Sequence, residues 1–386
     1  MKAQKSDKNV FFKGAILSSL VMAFAGLGDS FLYPLLPVYG KEMGFSVFTI
    51  GLLLSINRFV RILTNTQIAN AVYKLGRKKI MVITAIISAV STWLYGMEVS
   101  LIGFFIARVC WGLCFSGLKI ATLSYAAQEK QKSGFTFGLA EGIKNFGGLL
   151  VLWFGPILVE FFGISNGLYL IALISGIGII ISLKLPNIDF DENEKKVITK
   201  KTFFPSIINL LVFTLAISID GILVVALAQL LAGSVIVTTK LLVIVSSYLL
   251  IKKISATCLS IIIGALTLRI SPYKLYSYSV IMCITGLVLI SANMMAIGIV
   301  LAFLFYAVTS TFSPLIATQL EKEDNGVLQA LSGVSTWRDL GAAMGAFLGI
   351  YLVSIISKEL LFSLISLIIL GLFIVIFRRF RLFKLL

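Results

Sequence analysis

The chain has 386 residues, of which 59% are hydrophobic and only 13% charged, and its mean hydropathy is +1.02. A soluble domain carries close to a quarter charged residues, so no soluble core accounts for this apolar excess, and much of it must face lipid. Histidine is absent, which removes His-based metal sites and His general-base catalysis, and the net charge of +16 collects in loops between apolar runs, a pattern of membrane topology and not of nucleic-acid binding.

Apolar runs long enough to span a bilayer recur from end to end. The first, 14–39, follows a basic stretch of Lys2, Lys5, Lys8 and Lys13. It is longer than the apolar core of a signal peptide, contains Asp29 and has no small-residue cleavage site, so it reads as a retained first helix. Three of its residues carry further meaning: Asp29 is ionisable, and Pro34 and Pro37, like Pro156 in span five, mark helix ends or kinks. Spans two to six are expected at 48–73, 79–97, 101–127, 134–161 and 165–184. Span two carries Arg58 and Arg61, span four Arg108 and Lys119, and span five Glu141 and Lys144. Residues 184–203, with Asp189, Asp191, Glu192, Glu194, Lys195 and Lys196, form the long polar stretch expected of a solvated linker.

A second set of spans is expected at 204–230, 236–268, 274–293, 296–318, 326–355 and 359–377. It carries Asp220 in span seven, Lys240, Lys252 and Lys253 in span eight, and Arg338 and Asp339 in span eleven. Cys110, Cys114, Cys258 and Cys283 all lie inside apolar runs, with neither a disulfide framework nor a metal-ligand pattern. The expected fold is therefore an all-α membrane protein of twelve transmembrane helices. They form two pseudo-symmetric six-helix bundles: residues 1–184, a cytoplasmic linker 185–203, and residues 204–386.

Alternate loops sort by charge. One side collects the N-terminal lysines, Lys74 and Arg77-Lys78-Lys79, Lys130 and Lys132, the linker, Arg269 and Lys274, and the tail Arg378, Arg379 and Arg381. The other side has short loops such as Met97–Ser100 and Asn293–Gly298, nearly free of Lys and Arg. The positive-inside rule then puts both termini in the cytoplasm of a cell whose inner membrane holds the chain.

Weak internal symmetry is common in transporters. A shift of 191 lays Ala25-Gly-Leu-Gly-Asp29 on Ala216-Ile-Ser-Ile-Asp220 and Gly142 on Gly333. A shift of 195 lays Arg58 on Lys253 and Lys79 on Lys274. The difference implies a longer connection between spans seven and eight than between spans one and two.

These signatures resemble the major facilitator superfamily, and the resemblance covers the whole chain. Leu75-Gly76-Arg77-Lys78-Lys79 is similar to the end of that family's loop motif GxxxDRxGRRK, although Tyr73, Ala69 and Lys74 replace its acid, first glycine and arginine. Span four, Ala107-Arg108-Val-Cys-Trp111-Gly112, resembles the family's RxxxG pattern with its buried arginine. Gly142 and Gly155-Pro156 resemble part of the antiporter motif, whose other glycines are Val151, Val159 and Glu160 here. The resemblance implies the twelve-helix fold, a role for Gly76, Arg77 and Lys78 in cytoplasmic gating, and transport by alternating access.

Ionisable groups in hydrocarbon are costly and need a partner, water or a function. At 1.5 Å per residue, Asp29, Arg58 and Arg108 lie about 10–15 Å from the outer ends of their spans, and Asp220 at a similar depth. A carboxylate facing a buried arginine is pulled between two states, desolvation favouring the neutral acid and the arginine the anion. Asp29, Arg108 and Asp220 are thus candidates for proton coupling, and a fixed structural ion pair is the alternative. Arg58 and Lys253, with Arg338 and Lys144, are candidates for binding a substrate anion, arginine offering planar bidentate contacts. The alternative is snorkelling, or pairing with Asp220 and Asp339. Lys119 and Glu141 flank the turn between spans four and five at matching heights, which suits a structural or gating ion pair over substrate contact. Trp111, Trp153 and Trp337 either line the cavity or pack.

No catalytic cluster is present, so an enzyme is not expected. The chain also lacks the GxxxxGK[ST] phosphate loop of ATP-driven transport. The expected function is secondary transport of a small organic solute, anions favoured, coupled to protons. The expected partners are that solute, protons and the bilayer, with no cofactor, metal or nucleic acid, and the expected state is a monomer. A drug-type proton antiporter is the alternative, although a basic cavity repels lipophilic cations.

Overall fold

The computed structural model describes residues 2–97, 101–127, 133–187, 206–232, 238–266, 270–320 and 326–382. All its regular elements among these residues are helices: α1 Lys2–Ala25, α2 Leu27–Tyr39, α3 Val47–Leu75, α4 Arg77–Gly96, α5 Leu101–Ala127, α6 Ser133–Ser175 and α7 Ile177–Leu183. The second half holds α8 Ile207–Leu215, a π-helical turn Ala216–Leu223, α9 Val224–Ala232, α10 Thr238–Leu266, α11 Pro272–Ser291, α12 Met295–Leu320, α13 Gly326–Ile355 and α14 Lys358–Leu382.

Local chemistry sets the helix ends. Ser46 opens α3, its Oγ accepting from the Thr49 backbone N–H at 3.1 Å. Ser206 caps α8 in the same way through Asn209, and Pro272 occupies the first turn of α11, where its missing N–H costs nothing. Eleven stretches among the described residues are long and apolar enough to cross a membrane. One of them, Gly142–Leu183, has 42 residues, about 63 Å of helix and twice the thickness of a hydrocarbon core. It breaks at Gly163, whose φ of 79° lies in the left-handed region that glycine enters without steric cost. Splitting there gives the twelve spans expected from the sequence.

The outer faces are apolar. Leu360, Leu364, Leu367, Ile368, Ile374 and Val375 of α14 are all exposed. In water such a patch would be a contact surface; in a bilayer it is the lipid face. Buried positions, by contrast, include Arg77, Arg108, Ser88 and Ser246.

Helix packing divides the chain into two compact units. The first comprises Met1–Tyr33 with Phe59–Thr199, the second Pro34–Arg58 with Lys200–Leu386. The segment from late α2 to mid α3 therefore packs with the C-terminal helices. In the first unit, Trp111, Cys114, Leu118, Ala121 and Tyr125 of α5 pack with Val21 and Met22 of α1 and Ile80, Met81 and Ala85 of α4. Gly147 lets α6 cross α1 backbone to backbone, since a Cβ there would fall 2.0 Å from the Ala23 carbonyl oxygen.

In the second unit α13 lies against the π turn. A Cβ on Gly345 would meet the Ile217 carbonyl oxygen at 2.2 Å, and one on Gly221 would meet the Gly345 Cα at 2.5 Å. Small residues that let helix backbones touch are the usual glue between membrane helices. On the other side of α13, Phe48 of α3 packs edge-on to Phe347, with ring centres 5.3 Å apart.

Candidate functional site

Among the described residues, each unit contains a largely buried acid–base group. In the first, Asp29 sits in the opening turn of α2, just past the break at Gly26. Arg108 Nη1 donates to its Oδ1 at 2.5 Å. The Arg108 side chain is fully buried, while Asp29 keeps 15% exposure. Tyr95 of α4 lies beside the guanidinium and packs its ring on Phe104, centres 4.9 Å apart. The expected pairing of Asp29 with Arg108 is present.

In the second unit Asp220 occupies the π turn. Its Oδ1 accepts a hydrogen bond from Lys252 Nζ, and Arg58 Nη1 stands 3.8 Å from its Oδ2. Arg338 is also near enough to act on it electrostatically. The Lys252 ammonium lies 5.5 Å from the ring centre of Phe303 and 5.8 Å from that of Tyr306, within cation–π range. The Tyr306 hydroxyl is buried with no hydrogen-bond partner among the described residues. A π turn admits one residue more than an α turn and recurs at functional sites; here it carries Asp220.

Arg58, Asp220 and Arg338 thus share a unit, although Arg58 belongs to the half of the chain expected to hold Asp29 and Arg108; the segment from late α2 to mid α3 carries it into the second unit. Lys252, seen in the sequence only as the neighbour of Lys253, is the lysine that reaches Asp220. Lys253 follows it on α10, turned about 100° around the helix axis. A periodic signal points to Lys252: Leu242, Val245 and Leu249 form a buried face at spacings of three and four, and that face continues to 252. The connection between spans seven and eight, expected to be the longer one, falls at residues 233–237, outside the described residues.

Lys144 of α6 and Lys119 of α5 are half-buried in the first unit. The side chain of Glu141, the expected partner of Lys119, lies outside the described residues. Gly76 opens α4 with φ of 84°, and Lys78 is half-buried beside it. Arg77 is buried; its Nε donates to Ser124 Oγ at 3.0 Å, and its guanidinium lies 5.9 Å from the Tyr125 ring centre. The Tyr125 hydroxyl in turn donates to the Pro186 carbonyl at 2.8 Å. Arg77 therefore ties α4 to α5 within the first unit. Among the described residues no cluster of acid, thiol or imidazole groups has the makings of a metal site.

The model of the Major Facilitator Superfamily matches residues 18–256. The chain belongs to that superfamily. A curated relative, an uncharacterized MFS-type transporter of Methanocaldococcus jannaschii, is 26% identical over 200 residues, 51% of this chain and 50% of that protein. Multidrug resistance protein 2 of Bacillus subtilis is 25% identical over 126 residues, 33% of this chain and 30% of that protein. The superfamily chain therefore spans half or less of the curated relatives it matches. Among solved structures, a mutant form of the nucleoside transporter NupG superposes with a TM-score of 0.76 at 15% identity, covering 95% of this chain and all of that one. A bacterial homologue of the human lysosomal transporter Spinster, inward-facing and unoccupied, gives 0.65 at 15% identity, covering 88% and 81%. These superpositions establish the superfamily fold, a multi-pass helical membrane protein.

Proposed function

We propose that this superfamily member is a proton-coupled secondary transporter that moves a small organic solute, preferentially an anion, across the cytoplasmic membrane by alternating access, with both termini in the cytoplasm. The observation that carries the proposal is the Asp29–Arg108 pair. A fully buried guanidinium bonded to a carboxylate that keeps some exposure is a two-state element: protonating Asp29 releases Arg108, and binding a solute anion to the released arginine favours that protonated state. Asp220 with Lys252 and Arg58 supports a similar role in the second unit, and the basic excess there, with Arg338 nearby, supports an anionic solute. Lys253 and Lys144 are further basic contacts proposed for it. Lys119, Glu141, Gly76, Arg77 and Lys78 are proposed to act in gating.

The test is solute flux into proteoliposomes under an imposed pH gradient. Asp29→Asn keeps the shape and removes the titrating group, so flux is expected to lose its response to the gradient. A gradient response equal to that of the unaltered protein would sink the coupling role. The partial match to the Bacillus multidrug protein supports a second reading, drug–proton antiport. Under that reading tetraphenylphosphonium, not an organic anion, drives proton movement in the same vesicles.

A further inference from the structure

We infer that Arg61, Phe115 and Trp111 form a binding station for the carboxylate of a small organic monoanion, separate from the Asp29–Arg108 pair. The inference deepens the proposed transport function by naming the anionic group and a place where it is held.

Arg61 lies on α3 and Trp111 and Phe115 on α5, all within the first unit. The Arg61 guanidinium carbon sits 4.4 Å from the centre of the Phe115 ring. Trp111 meets the same ring edge-on, centres 6.0 Å apart. Two donors in this group are unmet: Arg61 Nε and Trp111 Nε1 are both buried with no hydrogen-bond partner among the described residues. Trp111 is 2% exposed, so its N–H has little access to bulk water. Among those residues Arg61 also has no carboxylate within ion-pair distance. A cation inside a membrane without an acid partner points to a ligand or a water-filled path, and a buried donor left unmet is destabilising. Both donors belong to side chains packed on the Phe115 ring, and an oxyanion is the ligand that answers N–H donors and a positive charge together.

The chemistry narrows the anion. A single guanidinium supplies one positive charge and a planar fork that matches a carboxylate, and the indole adds one further N–H. Two aromatic rings beside these donors favour a ligand with an apolar body over a strongly hydrated ion such as phosphate. Placement fits a path through the unit. Arg108, Trp111, Phe115 and Lys119 recur along α5 at spacings that keep them on one face, so the station lies about 5–10 Å along the helix from Arg108. On the expected topology it is on the cytoplasmic side of that pair.

The test is equilibrium binding to the full-length protein in nanodiscs of zwitterionic lipid, read by calorimetry and by tryptophan fluorescence. The probes are benzoate, octanoate and lactate, with inorganic phosphate and tetraphenylphosphonium for contrast. At least one carboxylate is expected to bind, more tightly than phosphate, with Arg61→Gln weakening it tenfold or more. Arg61→Lys, which keeps the cation and much of the packing, is expected to fall between the two. Trp111→Phe keeps an aromatic ring and is expected to weaken binding about fivefold and to remove the fluorescence change. Equal affinity in the unaltered protein, Arg61→Gln and Trp111→Phe would overturn the inference, as would phosphate preferred over every carboxylate, or no binding by any of the three. Binding at equilibrium needs no pH gradient, so a failure of proton coupling in Asp29→Asn leaves this result intact, and the reverse holds too.

Discussion

At the scale of single residues, the second unit turns on which of two adjacent lysines is used. Lys252 bonds to Asp220, and Arg58 is a second cation 3.8 Å away. Removing one partner of a buried pair costs about 3–5 kcal/mol, and the remaining arginine softens this. Lys252→Gln is therefore expected to cost about 2–3 kcal/mol, and more than Lys253→Gln, which leaves the Lys252–Asp220 bond in place. Thermal unfolding of the two purified variants, side by side, checks the order; equal losses would mean that Asp220 does not depend on Lys252. The sequence carried the depth of these charges, because depth follows from residue count. It carried their direction less well. A one-residue choice on a helix needs the phase of the buried face, and the repeat-based match to Lys253 set that phase from a distant half of the chain. The Arg108–Asp29 pair was legible because depth alone brought the two to one level. Arg61 was visible as a base within a span, but its place against Phe115 depends on how α3 and α5 rotate about their own axes.

At the scale of elements, span positions followed from apolar run length, and span ends differ from expectation by only a few residues. The π turn had no such signal. Apart from its aspartate, Ile-Ser-Ile-Asp-Gly carries no mark of a changed helical pitch, and the π turn packs against the glycines of α13. That packing gives a sharp contrast between two glycines. Gly345 faces the Ile217 carbonyl, with 2.2 Å available to a Cβ, whereas Gly371 of α14 has nothing within 4 Å. Gly345→Val is expected to destabilise the protein by about 1–3 kcal/mol or more through overpacking. Gly371→Ala is expected to be neutral or to stabilise by up to about 1 kcal/mol, since alanine is the better helix former. Melting temperatures of the two variants measure this directly, and a tolerated valine at 345 would show that α13 and the π turn do not touch so closely.

At the scale of the whole molecule, the halves expected from the sequence and the compact units differ in one segment. Residues 34–58 precede the linker yet pack with residues 200–386. Sequence symmetry reports ancestry and chain order; packing reports which helices share side chains, and Phe48 against Phe347 is a contact that no repeat alignment contains. The proposed membrane orientation rests on the loop lysines and arginines alone. A reporter enzyme active only outside the cytoplasm is expected to be silent when fused after Leu386 and active when inserted between Asn293 and Gly298. The opposite pattern would reverse the proposed orientation.

The widened turn at Ala216–Leu223 bears on how this protein tolerates change in length. Removing one residue from an ordinary membrane helix swings everything beyond the cut by about 100°, so lipid-facing side chains turn inward and the helix loses its place. A π turn holds one residue in surplus. Excising a single residue between Ala216 and Ile219 would let α8 and α9 join as one unbroken α-helix, with both flanks still facing their present neighbours. Such a shortened chain would still insert and assemble, while its carboxylate left the grip of Lys252, so that folding and ion chemistry could be separated by one codon.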